Sequence, residues 1–280
     1  MDIVDFLKKK RESMFNVANI LTSANLLSGI FSILFAVSGR LDLAVFAIFA
    51  GAIFDFLDGF AARLLKTSGE LGKQLDSLAD MVTFGVAPGV LMMIVLSLDF
   101  TMIDFYQSNL SNEVETQFDS WMIDFTKNKL RASNYLPLVG LIIPFFSLFR
   151  LAKFNLDSRQ TTSFIGLPTP ANTLFFTTFP LVLVYGDISA SSFSQFMFNP
   201  YVILALIITM SFLMVSEIPL FSLKVKNIKW KGNQIRFTFL LISLVLICVF
   251  WLWAIALIVF LYLILSIIEN TFFNKESNEV

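Results

Sequence analysis

Long runs of apolar residues, separated by short polar segments, dominate the pattern along the chain. A helix of about 18 or more apolar residues can cross the ~30 Å hydrocarbon core of a bilayer. Backbone N–H and C=O groups inside a bilayer must bond to one another, so helices are the expected form of these runs. The pattern predicts eight membrane helices, at about 15–37, 42–65, 72–98, 134–151, 167–186, 200–217, 234–251 and 253–270.

The last two helices are predicted from a single apolar run between Gln234 and Asn270. This run is too long for one straight span and barely long enough for two. It contains no Pro or Gly that would mark a turn. Trp251 and Trp253 are typical of a membrane interface, so we place the turn between two short helices there.

Composition indicates a membrane protein of the all-α class. The 280 residues are 56% hydrophobic and only 15% charged, whereas soluble domains are about 25% charged. We see no internal repeat and no separate soluble domain, and therefore predict a single membrane domain over residues 1–280. The segment at about 99–133 mixes acidic and aromatic residues. We interpret it as an outer-face interfacial loop, an amphipathic helix or hairpin with a structural role.

The distribution of basic residues predicts the orientation of the helices. With the N-terminus in the cytoplasm, 16 of the 20 Lys and Arg residues fall on the cytoplasmic side, in agreement with the positive-inside rule. Eight spans then return the C-terminus to the cytoplasm. The basic cluster Lys8–Arg11 precedes an apolar run without a small-residue cleavage site, so we expect a retained first helix. That cluster either anchors the topology or binds anionic headgroups.

The chain contains no histidine and a single cysteine, Cys248. Triads, metal sites and proton relays that depend on histidine are therefore excluded, and no intramolecular disulfide can form. Cys248 lies within an apolar run, and we interpret it as a lipid- or core-facing residue. The net charge of −1 says nothing about a nucleic-acid partner, and we expect none.

Four aspartates within two predicted membrane helices are the strongest sign of chemistry. Asp55 and Asp58 are three residues apart, and Asp76 and Asp80 are four apart, so each pair shares one helix face. The short link between the two helices places all four near the cytoplasmic end. Carboxylates inside a membrane are costly and need a reason. Divalent cations with oxygen ligands would remove their repulsion, and two such ions are common where phosphorus is attacked in line.

Two other interpretations of the aspartates remain open. They could form a salt-bridge network with the neighbouring cations Arg63, Lys66 and Lys73. They could instead form a proton or cation relay in a membrane transporter. Transporter folds tend to show inverted repeats and broken helices, and we find neither pattern here.

Small residues accompany the aspartates. Gly59 follows Asp58, and Gly72 lies one turn before Asp76. A glycine within a helix costs about 1 kcal/mol relative to alanine, so the gap that it leaves must have a use. The gaps, together with the small side chain of Ala62, could admit a nucleotide or allow close packing of helices.

These residues together resemble the signature of the CDP-alcohol phosphatidyltransferase family. The family pattern D-x2-D-G-x2-A-R-x8-G-x3-D-x3-D is matched at every fixed position, by Asp55, Asp58, Gly59, Ala62, Arg63, Gly72, Asp76 and Asp80. Further segments, at 19–29, 76–88, 150–155 and 164–171, resemble the phosphatidylserine synthase branch. Lys153 departs from that branch, which usually has Arg there, and Lys cannot replace a bidentate Arg.

The resemblance implies a six-helix catalytic core over about 15–217, with two accessory C-terminal helices at 234–270. It implies transfer of the phosphatidyl group from CDP-diacylglycerol to the hydroxyl of L-serine, with release of CMP. The Phe-, Ile- and Asn-rich composition favours a bacterial source, and we expect the protein in the inner membrane. Glycerol 3-phosphate, an inositol phosphate or choline remain open as alternative acceptors. The family also implies a homodimer and Mg²⁺ or Mn²⁺, with two ions expected.

The resemblance also implies roles for individual residues. Asp55, Asp58, Asp76 and Asp80 would bind the metals, with Asp76 and Asp80 catalytic and Asp80 either a ligand or the general base. The nucleotide-binding residues would be Thr22, Asn25, Gly59, Ala62, Arg63 and Gly72.

We expect the acceptor alcohol to bind at Arg150, Lys153 and Asn155. A guanidinium is a good partner for a carboxylate, so Arg150 is the expected contact for the carboxylate of serine. Asn155 could bond either charged group of serine. Arg150 and Lys153 could instead be anchors that follow the positive-inside rule.

Overall fold

A computed structural model describes residues 16–67, 69–100, 110–127, 132–157, 164–189, 191–221 and 233–270. The helices are α1 (Val17–Val37), α2 (Leu41–Leu64), α3 (Glu70–Ser97), α4 (Leu110–Thr126), α5 (Ile142–Leu156), α6 (Thr169–Tyr185), α7 (Ser192–Met197), α8 (Pro200–Val215), α9 (Gln234–Phe250) and α10 (Ala254–Ile268). A 3₁₀ segment, Ala132–Leu141, leads into α5. Two short strands, β1 (Phe164–Ile165) and β2 (Pro219–Leu220), pair antiparallel.

The predicted all-α membrane fold is confirmed. Five segments are long and apolar enough to cross a bilayer, namely Val17–Val37, Leu41–Leu64, Glu70–Ser97, Tyr135–Leu156 and Gln234–Ile268, and the chain is a multi-pass membrane protein. Helices α6 and α8 form where they were predicted, but they have only 17 and 16 residues. That these two helices also cross the bilayer stays a prediction.

The last apolar run is divided into two helices at the predicted tryptophans. Trp251 has a positive φ of 46°, which is rare for a bulky residue and ends the regular helix. Trp253 fixes the turn against the rest of the fold, because its indole Nε1 donates to Ser194 Oγ at 3.1 Å. The turn therefore depends on tertiary contacts as well as on the local sequence.

Helix α1 has polar residues on its packed face and apolar residues on its exposed face. Asn19, Thr22 and Asn25 are buried, whereas Leu27 and Leu34 are about half exposed. In lipid the exposed surface is apolar, so small or polar residues distinguish the face that packs on other helices. This face of α1 lies against α2 and α3 and forms one wall of the site.

Helix α3 contains a π-helical turn, Met81–Val86, directly after Asp80. Pro88 has no N–H and cannot donate to the carbonyl of Phe84, four residues earlier. Thr173 of α6 supplies the missing donor, since its Oγ1 lies 2.8 Å from the Phe84 oxygen. This turn was not predicted from the sequence, although π-turns often occur at functional sites.

Helix α4 lies within the predicted outer-face loop and covers the end of the bundle opposite the aspartates. Its residues Val114 and Phe118 are buried against the bundle. At the α1–α2 turn, a Cβ on Gly39 would lie 2.0 Å from the Ser111 carbonyl oxygen, and φ of Gly39 is +72°, so only glycine fits there. Residues 101–109 and 128–131 of that loop and the basic cluster Lys8–Arg11 lie outside the described residues.

Candidate active site

The four aspartates meet at one end of the bundle formed by α1, α2 and α3. Helix α2 supplies Asp55 and Asp58, and the first part of α3 supplies Asp76 and Asp80. Carboxylate oxygens of Asp55, Asp76 and Asp80, which we call the aspartate triad, all lie within 4.8 Å of one another. Asp58 and Asp80 are buried, while Asp55 and Asp76 are half-buried. The structure thus brings together the residues that helical spacing placed on facing surfaces.

Asp58 lies beside the triad rather than in it, and α1 orients it. Thr22 Oγ1 donates a hydrogen bond of 2.5 Å to Asp58 Oδ2. Asn25 acts in the same way on the triad, because its Nδ2 donates to Asp80 Oδ1 at 3.0 Å. Two side chains one turn apart on α1 therefore orient one carboxylate from each of the other two helices.

The three helices approach closely because two glycines accommodate the side chain of Thr83. A Cβ on Gly29 would lie 2.5 Å from Thr83 Oγ1, and a Cβ on Gly51 would lie 2.6 Å from Thr83 Cγ2. Small residues at both positions let α3 enter between α1 and α2. Thr83 Oγ1 also donates to the Asn25 carbonyl at 2.9 Å. Thr83, a residue of the π-turn, thereby fixes the axial position of α3, and hence of Asp80, relative to α1.

Nearby Lys and Arg side chains do not neutralise the aspartates. Arg63 Nε donates to the carbonyl of Gly59 at 2.9 Å, and Lys73 Nζ donates to the carbonyl of Asn155 at 2.8 Å. Across the described ranges, no Lys or Arg nitrogen lies within 4.0 Å of a carboxylate oxygen of the four aspartates. Converging carboxylate oxygens without a cationic partner are the ligand set of a hard divalent cation. The triad can therefore hold a divalent metal ion.

A cavity of about 380 Å³ opens in front of the aspartates. Its lining includes five of the six residues predicted to bind the nucleotide, Thr22, Gly59, Ala62, Arg63 and Gly72, together with Asp55, Asp58 and Asp76. The sixth, Asn25, is fully buried and contacts Asp80 instead. The remaining lining residues are Ala18, Asn19, Thr67, Gly69 and Lys73.

Gly59 differs from the glycines that pack helices. A Cβ built on Gly59 would meet no heavy atom within 4 Å, although the residue lines the cavity. Helix packing therefore does not explain Gly59, whereas room for a ligand does. At Gly72 a Cβ would lie 3.5 Å from Asn19 Oδ1, which is an ordinary contact.

Helix α5 runs antiparallel to α3 and reaches the level of the aspartate triad. Ser147 packs against Gly85, and a Cβ on that glycine would lie 3.1 Å from the serine Cβ. Closer to the end of α5, Asn155 Nδ2 donates to Ser77 Oγ at 2.8 Å. Arg150 lies between these two contacts along α5. Measured along the helix axis, it is therefore within about one turn of Asp80.

The other two predicted acceptor residues have different surroundings. Arg150 is 4% exposed; its Nε donates to the Leu167 carbonyl at 3.3 Å and its guanidinium carbon lies 4.9 Å from the centre of the Phe154 ring. Lys153 is partly exposed and forms an ion pair with Glu217. Neither these residues nor Asn155 are among the described residues that line the cavity.

Several residues at the site were not predicted from the sequence. Asn19 and Lys73 each lie three residues before an assigned site residue, Thr22 and Asp76, so helical spacing was an available signal. Thr67 also lines the cavity, but it follows the end of α2, and no periodicity extends to it.

Comparison with known proteins agrees with this geometry. A family profile described as CDP-alcohol phosphatidyltransferase matches residues 15–108, which contain α1, α2, α3 and all four aspartates. The CDP-diacylglycerol–serine O-phosphatidyltransferase of Helicobacter pylori strain J99 is 30% identical over 272 residues, which cover 93% of this chain and 95% of that protein. The chain belongs to the CDP-alcohol phosphatidyltransferase family.

Other members resemble this CDP-alcohol phosphatidyltransferase over shorter stretches. The CDP-diacylglycerol–serine O-phosphatidyltransferase of Bacillus subtilis strain 168 is 29% identical over 203 residues, 71% of this chain and 86% of its own. The archaetidylserine synthase of Methanothermobacter thermautotrophicus is 29% identical over 187 residues, 65% of each chain. The match to the Helicobacter pylori enzyme is long enough that it must extend into the C-terminal helices.

Proposed function

We propose that this enzyme transfers the phosphatidyl group of CDP-diacylglycerol to the hydroxyl of L-serine, giving phosphatidylserine and CMP. The observation that carries the proposal is the convergence of three carboxylates from two membrane helices beside a cavity with open space at Gly59. The named relatives, all of which have serine in their names or products, support serine as the acceptor.

The aspartates would hold two divalent ions, Mg²⁺ or Mn²⁺. The triad forms one ligand set, and Asp58 beside it would contribute to the second. Bound ions of this kind neutralise the negative charge of a pyrophosphate and the charge that develops on the leaving nucleotide. The hydrogen bonds from Thr22 and Asn25 keep two of the four carboxylates in place, so little rearrangement would be needed on binding.

The cytidine diphosphate of the donor would occupy the cavity. Open space at Gly59 lets a flat base approach the surface of α2, and Arg63 and Lys73 on the lining place two positive charges near a phosphate group. The acyl chains would stay in lipid beside the exposed faces of Phe56 and Phe60, which are 67% and 51% exposed. The cavity would therefore bind only the headgroup of the donor.

The reaction would be a direct displacement at phosphorus. The serine hydroxyl oxygen attacks the phosphorus that carries the lipid, and the bond from that phosphorus to the bridging oxygen breaks. The bridging oxygen and its electron pair leave with CMP. Asp80 accepts the proton of the serine hydroxyl and later releases it to water. No covalent enzyme intermediate is required, and the chain has no histidine that could form one.

Arg150 would bind the carboxylate of serine. Its Nε donates to the Leu167 carbonyl, while its two terminal nitrogens make no hydrogen bond to any described residue. A buried guanidinium with two free N–H groups on one edge suits a carboxylate, which accepts two parallel bonds. Lys153 and Asn155 remain predicted acceptor contacts, although in this structure each is bonded to a protein group.

We further propose that the protein lies in a bacterial inner membrane, with the cavity and both termini in the cytoplasm. Among the described residues, Arg63, Lys66, Lys73 and Arg150 lie towards the aspartate end, whereas Arg40 lies at the opposite end. This asymmetry supports the cytoplasmic orientation of the site. A homodimer is proposed from the family resemblance alone.

The test is CMP release by the purified protein in vesicles that contain CDP-diacylglycerol. We expect release only when serine and either Mg²⁺ or Mn²⁺ are added, and none from the Asp58→Asn variant inserted to the same level. Glycerol 3-phosphate, inositol phosphate and choline serve as competing acceptors. If glycerol 3-phosphate supports CMP release and serine does not, the acceptor assignment is wrong. If no alcohol supports release, the transferase proposal fails and the transporter interpretation returns.

A further inference from the structure

The C-terminal helices α9 and α10 contribute none of the described residues that line the cavity. They nevertheless pack beside the aspartate end, where α10 contacts the segment 216–221 that follows α8. Tyr262 Oη donates to the Phe221 carbonyl at 2.9 Å, and the Phe221 N–H donates to Ser266 Oγ at 3.4 Å. Both backbone polar groups of Phe221 are therefore satisfied by side chains of α10.

Aromatic packing reinforces these two hydrogen bonds. The rings of Phe221, Phe239 and Tyr262 contact one another pairwise, with centroids 4.9 to 6.0 Å apart. Phe221 is only 4% exposed, so the segment 216–221 is held by α9 and α10 together. Arg236 and Glu269 add an ion pair of 3.8 Å between the ends of these two helices.

The segment 216–221 in turn holds the segment 164–167, which precedes α6. Strand β2 pairs with β1 in antiparallel register, and the N–H of Gly166 donates to the Ile218 carbonyl at 2.9 Å. The N–H of Leu167 donates to the Leu213 carbonyl at 3.0 Å. A Cβ on Gly166 would lie 2.9 Å from the Ser216 carbonyl oxygen and 2.5 Å from the Met214 carbonyl oxygen at the end of α8, so the 164–167 segment is in direct backbone contact with both the 216–221 segment and α8.

The last contact in this series reaches Arg150. The Leu167 carbonyl, fixed by the contacts just described, accepts the hydrogen bond from Arg150 Nε at 3.3 Å. Among the described residues this is the only hydrogen bond of the Arg150 side chain. A shift of the 164–167 segment would therefore change the direction of the guanidinium.

We propose that α9 and α10 position the acceptor-binding group: through Phe221 they fix the 216–221 and 164–167 segments, and these set the direction of Arg150. Tyr262 is thus a positioning residue of the transferase. The inference rests on the proposed role of Arg150 towards the acceptor. It gives a function to two helices that supply no chemistry of their own.

Tyr262→Phe tests the proposal with the smallest possible change, because it removes one hydroxyl and keeps the aromatic ring. We expect the KM for the acceptor alcohol to rise about three- to tenfold, the size of effect that follows from losing one buried hydrogen bond. The KM for CDP-diacylglycerol and the half-saturating metal concentration should stay within twofold of wild type. Tyr201→Phe is the matched control, since Tyr201 is 75% exposed, and it should change nothing.

A purely structural role for Tyr262 gives a different result. It would lower the amount of active enzyme, and therefore the apparent kcat, with both KM values unchanged; that outcome overturns the proposal, as does an unchanged acceptor KM. Should Tyr262→Phe not fold, Ser266→Ala removes the other contact to Phe221 and carries the same expectation.

A double-mutant cycle examines the route through Arg150. In the Arg150→Lys background, Tyr262→Phe should produce no further rise in the acceptor KM, whereas a full multiplicative rise contradicts the proposed route. The role of Tyr262 and the identity of the acceptor as serine are tested by different measurements. If wild type prefers another alcohol, serine is wrong, and the KM for that alcohol then tests the role of Tyr262.

Discussion

The aspartate side and the acceptor side of the site are built by different means. On the aspartate side, side chains orient side chains, as Thr22 does for Asp58 and Asn25 does for Asp80. On the acceptor side, the buried cation Arg150 is oriented by a backbone carbonyl, at Leu167. The first arrangement is encoded within three consecutive helices, whereas the second depends on segments from the whole second half of the chain. A short motif can therefore reveal the metal ligands but not the geometry of the acceptor site.

The largest effect is expected on the aspartate side, from Asp80→Asn. The change removes both a ligand of the triad and the proposed proton acceptor, so CMP formation should fall by about 10²- to 10⁴-fold, measured in vesicles with saturating serine and metal. Asp42→Asn is the control, because Asp42 pairs with Arg40 at 2.8 Å at the opposite end. An equal loss of activity in the control would show that Asp80 has no special role.

A pair of glycine substitutions on the aspartate side distinguishes helix packing from ligand binding. Gly51→Ala should destabilise the protein by about 1–3 kcal/mol through overpacking, because the new Cβ would meet Thr83. Gly59→Ala should leave the unfolding temperature unchanged or raise it, while it raises the KM for CDP-diacylglycerol. Thermal unfolding in detergent and donor titrations give both quantities. Normal donor binding by the Gly59 variant would contradict a ligand at that surface.

Substitutions at Thr83 test how α3 is fixed against α1. Thr83→Val keeps the shape that fits the two glycines but loses the bond to the Asn25 carbonyl, at a cost of about 1 kcal/mol. We expect a higher half-saturating Mn²⁺ concentration for Thr83→Val and a near-normal one for Thr83→Ser. The reverse order would show that the methyl group, rather than the hydroxyl, sets the position of the triad.

The smallest effect is expected on the acceptor side, at the surface. Glu217→Gln breaks an ion pair with Lys153 whose side chains are 62% and 37% exposed, and exposed pairs contribute at most about 1 kcal/mol. The unfolding temperature should barely change, and the small difference should vanish at high salt. If the acceptor KM instead rises strongly, the pair belongs to the acceptor site and Lys153 contributes through it.

Much of the aspartate side could be predicted because helical spacing is a local property. Residues three or four apart share a face whatever surrounds them, so Asp55 and Asp58, and likewise Asp76 and Asp80, were placed correctly on facing helices. Spacing could not show that Asp58 would lie outside the triad, because that depends on how α2 and α3 are rotated about each other. Their rotation is set by where Thr83 enters.

The surroundings of Arg150 were beyond prediction for a related reason. Its partner is a backbone carbonyl, and every residue has one, so no side-chain pattern marks the contact. The same holds for the Phe84 carbonyl bonded by Thr173: Pro88 shows that a donor is missing, but only the fold shows which helix supplies it. The five segments that are long enough to cross a bilayer were predictable, since long apolar runs have few alternatives in lipid.

The π-turn Met81–Val86 makes the residue count of α3 as important as its composition. Each residue turns an α-helix by about 100°. Deleting one residue from this turn would therefore restore a regular helix and rotate the preceding part of α3 about the helix axis by roughly that angle. With the second half of α3 still packed on α5 and α6, Asp76 and Asp80 would then be aimed away from α2. A deletion that alters no aspartate could in this way dismantle the catalytic centre.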